Sequence, residues 1–190
     1  MEKSNNLAVL ILAAGSSTRL GEPKQLLKFK SESFLKIAVK KAIDISENIF
    51  VVLGDKKVLC EKELEEFDVN IIFNKNYKNG IGSSISSAID FLKEFENTII
   101  MLVDQPFIPI SHLKALKENI KEKSIVASMY ENSISVPAIF PKKYYNSLSK
   151  LRGDKGAKSI LQKENILKID LKKEYSVDID TKEDIDRYLK

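Results

Sequence analysis

The chain has 190 residues and a mass of 21.5 kDa, the size of one domain and short for two, and a domain this long buries roughly 70% of its unfolded surface without needing disulfides or metal to hold a core. With 43% hydrophobic and 31% charged residues, seven Gly and five Pro, it is neither disordered, collagen-like nor disulfide-stapled. Its net charge of +4 is spread along the sequence; that suits an anionic small molecule but provides no dense basic face for nucleic acid.

Strand-like and helix-like segments alternate. Leu7–Ala14 is a continuous apolar run, far short of the ~20 residues of a membrane span, and reads as a strand covered on both faces. It lacks the length and cleavage flank of a secretory signal, so a cytoplasmic, membrane-free protein is expected. Ser33–Ile45 has apolar residues at helical spacing, Ile49–Gly54 is a second buried strand, Lys57–Phe67 an amphipathic helix and Val69–Phe73 a third strand. Gly82–Phe95 reads as a helix and Thr98–Val103 as a fourth strand, stopped by Asp-Gln-Pro. Ser111–Lys121 follows as a helix with Ser111 as N-cap, then strands Ile125–Met129 and Ile134–Phe140, helices Lys142–Leu151 and Ala157–Lys163, and a strand Leu167–Leu171. Thr181–Leu189 closes the chain as a helix in which Thr181 and Asp184 have capping-box spacing. This alternation predicts a single α/β domain over residues 1–190 with a mostly parallel sheet.

Ligands of such sheets sit beyond the carboxyl ends of the strands. After the first strand comes Leu12-Ala13-Ala14-Gly15-Ser16-Ser17-Thr18-Arg19-Leu20-Gly21-Glu22-Pro23-Lys24-Gln25. Glycines let the backbone approach a phosphate, free N–H groups point at it, and Arg19 and Lys24 supply countercharge. Five residues separate Gly15 from Gly21, with Lys24 three further on, so this is neither a Walker A loop nor a dinucleotide fingerprint. The alternative is an ordinary turn with solvated basic residues.

Three other segments carry chemistry. Asn74–Ser84 contains a Gly-Ser helix start that offers N–H groups and hydroxyls to a polar ligand, or only an N-cap at Ser83 or Ser84. Asp104 ends the fourth strand as a carboxylate suited to a hard cation such as Mg²⁺, or as a turn residue before proline. Asp178 and Asp180 point to one side of an extended segment; one of them would add a second carboxylate, or both serve the helix dipole. His112 reads as a solvated surface residue and Cys60, the only cysteine, as a small packing residue. A lone cysteine excludes an internal disulfide and fits a reducing compartment; one His and one Cys leave no His/Cys zinc site or Ser-His-Asp triad.

Leu12 to Lys24 resembles the signature loop of the MobA/MocA-like nucleotidyltransferases, Rossmann-like α/β enzymes. The run Leu12-Ala13-Ala14-Gly15 resembles the molybdenum cofactor cytidylyltransferase branch; the guanylyltransferase branch tends to carry a second glycine at the place of Ala14. The resemblance implies that Leu12, Ala13, Ala14, Gly15, Arg19 and Lys24 hold the nucleotide, and that Asn74, Gly82, Ser83 and Ser84 contact base and ribose. It assigns Mg²⁺ to Asp104 and Asp180, with Arg19, Lys24 and Asp104 as catalytic residues. Val136-Pro137 and Arg152-Gly153-Asp154-Lys155-Gly156-Ala157-Lys158 resemble acceptor-side segments, which implies acceptor contacts from Pro137, Gly153, Asp154, Lys155 and Lys158. Lys158 stands where the family has arginine and Lys182 where it has proline.

The implied substrates are CTP and a molybdopterin-type phosphorylated acceptor, with residues 1–110 binding the nucleotide, 111–190 mainly the acceptor, and a molybdenum hydroxylase receiving the product. Alternatives are a GTP-using guanylyltransferase, a sugar- or polyol-phosphate nucleotidyltransferase, and a non-catalytic nucleotide-binding regulator. A dinucleotide-dependent oxidoreductase is disfavoured by the absent fingerprint.

Overall fold

A computed structural model describes residues 6–17, 20–121, 123–162 and 166–189. Arg19 and Lys163 lie outside the described residues. Nine strands and seven α-helices are described: β1 (Leu7–Ala13), β2 (Lys28–Phe29), β3 (Glu32–Ser33), α1 (Phe34–Ile43), β4 (Asn48–Leu53), α2 (Lys57–Leu64), β5 (Asn70–Phe73), α3 (Ile81–Ala88), β6 (Asn97–Leu102), α4 (Ile110–Glu118), β7 (Ile125–Tyr130), β8 (Ser133–Pro141), α5 (Tyr145–Leu148), α6 (Lys158–Leu161), β9 (Ile166–Leu171) and α7 (Lys182–Tyr188).

Seven strands form one sheet in the order β5-β4-β1-β6-β8-β7-β9. β1 pairs in parallel with β4 and β6, β4 with β5 and β7 with β9, while β8 runs antiparallel to both β6 and β7. The expected mostly parallel α/β architecture is what forms. In β1 every residue is buried. Leu7, Val9 and Ile11 enter the core layer beneath α1, α2 and α4. Ala8, Leu10 and Leu12 enter the layer beneath α3, α5 and α6. A strand that must feed two cores has no polar face to alternate, which is why its sequence is continuously apolar.

This topology creates the site. From β1 the chain passes to β4 and then β5 on one side, and returns to β6 on the other. The segments leaving β1 and β6 therefore diverge, opening a crevice at their carboxyl ends.

The structure corrects several local expectations. His112 is buried rather than solvated: α4 packs its His112, Leu113 and Leu116 inward. The ring Nε2 lies 2.8 Å from Ser128 Oγ, and that hydroxyl donates to Pro137 O at 2.7 Å. Burial lowers the His112 pKa below its ordinary value. Pro109, not Ser111, precedes α4. α3 ends at Ala88 and continues as a 3₁₀ turn, Ile89–Leu92, instead of remaining α-helical to Phe95. The β2–β3 ladder has no sequence signal, because its turn places Lys30 and Ser31, rather than Gly or Asn, at positive φ. Ser33 does cap α1, accepting from Lys36 N at 3.2 Å, and Thr181 and Asp184 do form the capping box of α7. No described helix is long and apolar enough to cross a membrane.

Because Ile11 is fully buried between β4 and β6, Ile11→Ala should lower unfolding free energy by about 2–5 kcal/mol in urea titration. Val58→Ala on the exposed side of α2 should change it by no more than about 0.5 kcal/mol.

Candidate active site

The crevice is a cleft of about 370 Å³ between the loop after β1, the start of α3, the end of β6 and the segment before α7. Its lining joins Leu12, Ala14, Leu102 and Val103 at the strand ends to Gly15, Ser16, Ser17 and Lys24 of the β1 loop, to Tyr77, Lys78, Gly80, Ile81 and Ser84 around the start of α3, and to Asp154.

The β1 loop is held from inside. Gln25 is buried, and its side-chain amide donates to Ala13 O and Gly15 O, both at 2.7 Å. Ser17, at φ 52°, accepts at its carbonyl from Leu20 N and Gly21 N, and its hydroxyl accepts from Lys24 N at 3.0 Å. These bonds close the loop into a turn and deliver Lys24 to the cleft. Gly15 lines the cleft, and among the described residues no atom lies within 4 Å of where its Cβ would stand.

Lys24 meets two carboxylates from remote parts of the chain. Its ammonium donates to Asp104 Oδ2 at 3.1 Å and to Asp180 Oδ1. Burial alone would lower the Lys24 pKa, but Asp104 and Asp180 outweigh it through charge and hydrogen bonding, and the net direction is up. Asp104 is set by the end of β6, and its carbonyl accepts from Ile179 N at 3.1 Å. Asp180 is set by the α7 cap: its N–H donates to Asp184 Oδ2 at 3.0 Å.

Asp178 points elsewhere. Gln105 Nε2 donates to its Oδ1 at 2.9 Å and to the Tyr130 hydroxyl at 3.2 Å; that hydroxyl in turn donates to Val136 O. Burial, reinforced by Asp104 and Asp180, pushes the Asp178 carboxyl up to about 6.

A divalent cation fits this donor set. Asp104 Oδ1 is buried with no hydrogen-bond partner, and Asp104 and Asp180 already converge on a single cationic group. Two carboxylates with room for water and phosphate oxygens suit Mg²⁺.

Of the residues singled out in the sequence, Leu12, Ala14, Gly15, Lys24, Ser84, Asp104, Asp154 and Asp180 line the cleft. Ala13 is buried beside it and gives its carbonyl to Gln25. Asn74 is buried and used internally: its amide donates to Ser83 Oγ at 2.9 Å and Ser84 Oγ at 3.1 Å, and its oxygen accepts from Asn76 N. Ser83 returns its hydroxyl to Asn76 O and Gly80 O. Gly82 packs on Arg152, whose backbone would lie 2.8 Å from an added Cβ. Pro137 follows a cis peptide and borders a smaller recess with Lys41, Gln105 and Pro106. Gly153, Lys155 and Lys158 are outside the cleft lining.

Asp154 and Asp180 share one cleft with Gly15 and Lys24, so residues from both expected parts of the chain meet there. Gln25, Tyr77, Lys78, Gly80 and Ile81 also serve the cleft and were not singled out in the sequence. Gln25 carried no signal beyond its place next to Lys24.

Replacing Gln25 with leucine would leave the Ala13 and Gly15 carbonyls without their partner. Gln25→Leu should destabilise the protein by about 1–3 kcal/mol, measured by urea unfolding.

The sequence and the fold have counterparts among known proteins. Residues 9–169 match the family model of the MobA-like NTP transferase domain. The chain is 34% identical over 132 residues to the bifunctional protein GlmU of Thermosipho melanesiensis, covering 66% of this chain and 29% of that protein; it thus spans under a third of the length of that relative. The crystal structure of the Mycobacterium sp. strain JC1 homologue of Mycobacterium tuberculosis rv0371c superposes with a TM-score of 0.83 at 27% identity, covering 97% and 96% of the two chains. That of molybdopterin-guanine dinucleotide biosynthesis protein A from Archaeoglobus fulgidus has a TM-score of 0.68 at 17% identity, covering 96% of each chain. A family match over most of the sheet, including the β1 loop and Asp104, makes this chain a member of the MobA-like NTP transferase domain family.

Proposed function

We propose that the protein is a nucleotidyltransferase that moves a nucleoside monophosphate, from CTP by preference, to the terminal phosphate of a molybdopterin-type acceptor. The observation that carries this reading is Lys24 bound to both Asp104 and Asp180 in a cleft that Gly15 also lines. One end of the cleft is thereby prepared for both a polyphosphate and a divalent cation.

The acceptor phosphate attacks the α-phosphorus; a new P–O bond forms there, the bond to the β-phosphate oxygen breaks, and pyrophosphate leaves with that electron pair. The chain supplies position and charge rather than covalent chemistry. The Gly15–Ser17 backbone faces the triphosphate, and Lys24, fixed by Gln25 and Ser17 through the loop, compensates charge growing on the leaving pyrophosphate. In this proposal Arg19 adds a second positive group. Asp104 and Asp180 are the residues that would hold Mg²⁺, which when bound polarises the α-phosphate. No general base is required, because the attacking phosphate is already ionised at pH 7; His112, buried against Ser128, stands apart from the cleft lining.

The choice of CTP and of a molybdenum-loaded pterin rests on Leu12-Ala13-Ala14-Gly15, with Ala14 in the cleft lining. The product would pass to a molybdenum hydroxylase. The likeness to GlmU supports a second reading, in which the same nucleotide end serves a sugar-phosphate acceptor.

Pyrophosphate release with each of the four triphosphates, with and without molybdenum-loaded pterin, tests the reading. Release should be fastest with CTP, should need both pterin and Mg²⁺, and should vanish in Asp104→Ala while circular dichroism stays unchanged. Lys24→Ala should lower the rate about 10²–10³-fold. A sugar phosphate replacing the pterin with equal efficiency would favour the second reading.

A further inference from the structure

The turn Gly153–Lys155 is pressed against the start of α3. Gly80 has a φ of 83°, and a Cβ there would lie 2.4 Å from Asp154 Oδ1 and 2.5 Å from the Gly153 carbonyl. With Gly82 similarly closed off by the Arg152 backbone at 2.8 Å, the two segments touch backbone to backbone. That contact brings Asp154, a solvent-exposed residue, into the cleft lining against Gly80.

A carboxylate lining a cleft that receives a polyanion belongs away from the phosphates, since like charges at close range repel. Gly15 and Lys24 mark the phosphate end of the proposed site, whereas Asp154 lies against Gly80 at the start of α3, the segment that also contributes Ile81 and Ser84 to the lining. Leu12, Ala14, Ile81 and Leu102 add apolar surface to that lining, as a flat heterocycle requires. A carboxylate accepts hydrogen bonds and cannot donate them when ionised. It therefore rewards an amino group on the ring edge and repels a carbonyl oxygen at the same place, and such combined attraction and repulsion is what produces selectivity.

We infer that Asp154 is a base-selecting residue, accepting a hydrogen bond from the exocyclic amino group of the nucleotide base and discriminating cytosine from uracil. The inference rests on the nucleotidyltransferase reading and moves Asp154 from the acceptor side, where the sequence resemblance placed it, to the nucleoside.

The test compares the full-length protein with Asp154→Asn and Asp154→Ala, measuring CTP and UTP binding by calorimetry with Mg²⁺ and kcat/KM for pyrophosphate release. The unaltered protein should prefer CTP. In Asp154→Asn the CTP/UTP ratio should fall about 10–100-fold, the scale of one hydrogen bond to a charged group, with UTP gaining because the amide can donate to its O4. Asp154→Ala should lose CTP affinity without that gain, and matching thermal midpoints would separate these effects from unfolding. An unchanged ratio in active variants, or an equal loss for both nucleotides as ribose or acceptor contact would give, overturns the assignment of Asp154 and leaves the transferase reading standing. Failure of the unaltered protein to bind or turn over any triphosphate overturns both.

Discussion

One ammonium held between two carboxylates organises the cleft. Lys24 comes from the loop after β1, Asp104 from the end of β6 and Asp180 from the last turn before α7. Taking a lysine out of water is unfavourable by itself, and here the two aspartates more than compensate, raising its pKa. The reverse also holds. Asp104, Asp178 and Asp180 are close enough that Asp178 is pushed up to about 6 by burial and by its neighbours. The same convergence of carboxylates that stores this repulsion is what makes the place attractive to a divalent cation.

Around that centre, polar side chains divide into those that face the cleft and those used up in building it. Gln25, Asn74 and Asp184 are in the second group: each satisfies backbone or hydroxyl groups of a loop that would otherwise be free to rearrange. Lys24 and Asp180 are held in one geometry because Gln25 and Asp184 support the segments that carry them, and Asp104 is tied to the second of these through Ile179 N. Catalysis by charge placement depends on this kind of preorganisation, since groups already oriented need not reorganise as the reaction proceeds. Similar logic applies at the start of α3, where two glycines let that helix and the Gly153–Lys155 turn approach closely enough to bring Asp154 into the cleft lining.

Family membership rests on a match that runs through most of the sheet, from β1 into β9. A fold of this kind hosts several acceptors, so its architecture cannot name one. The GlmU of Thermosipho melanesiensis and the Archaeoglobus fulgidus molybdopterin-guanine dinucleotide protein resemble this chain while their names point to different products.

The sequence by itself determined the elements whose signal is local. β1 had to be a doubly covered strand because seven successive residues are apolar; α1 and α7 begin where Ser33 and Thr181 can bond the free N–H groups of the first turn. The glycine-rich loop and Lys24 were legible for the same reason, since spacing along one segment encodes them. Tertiary structure alone decided the rest. Spacing left Asp178 and Asp180 equivalent, with only the family resemblance choosing Asp180, and the fold separates them by giving Asp178 to Gln105 and Asp180 to Lys24. His112 shares its face of α4 with Leu113 and Leu116, and it is buried because the helix turns that face onto β7 and β8. The place of Asp154 is set by a backbone contact between residues more than seventy positions apart. Local propensity cannot report such pairings, because the energy that fixes them comes from packing distant segments together.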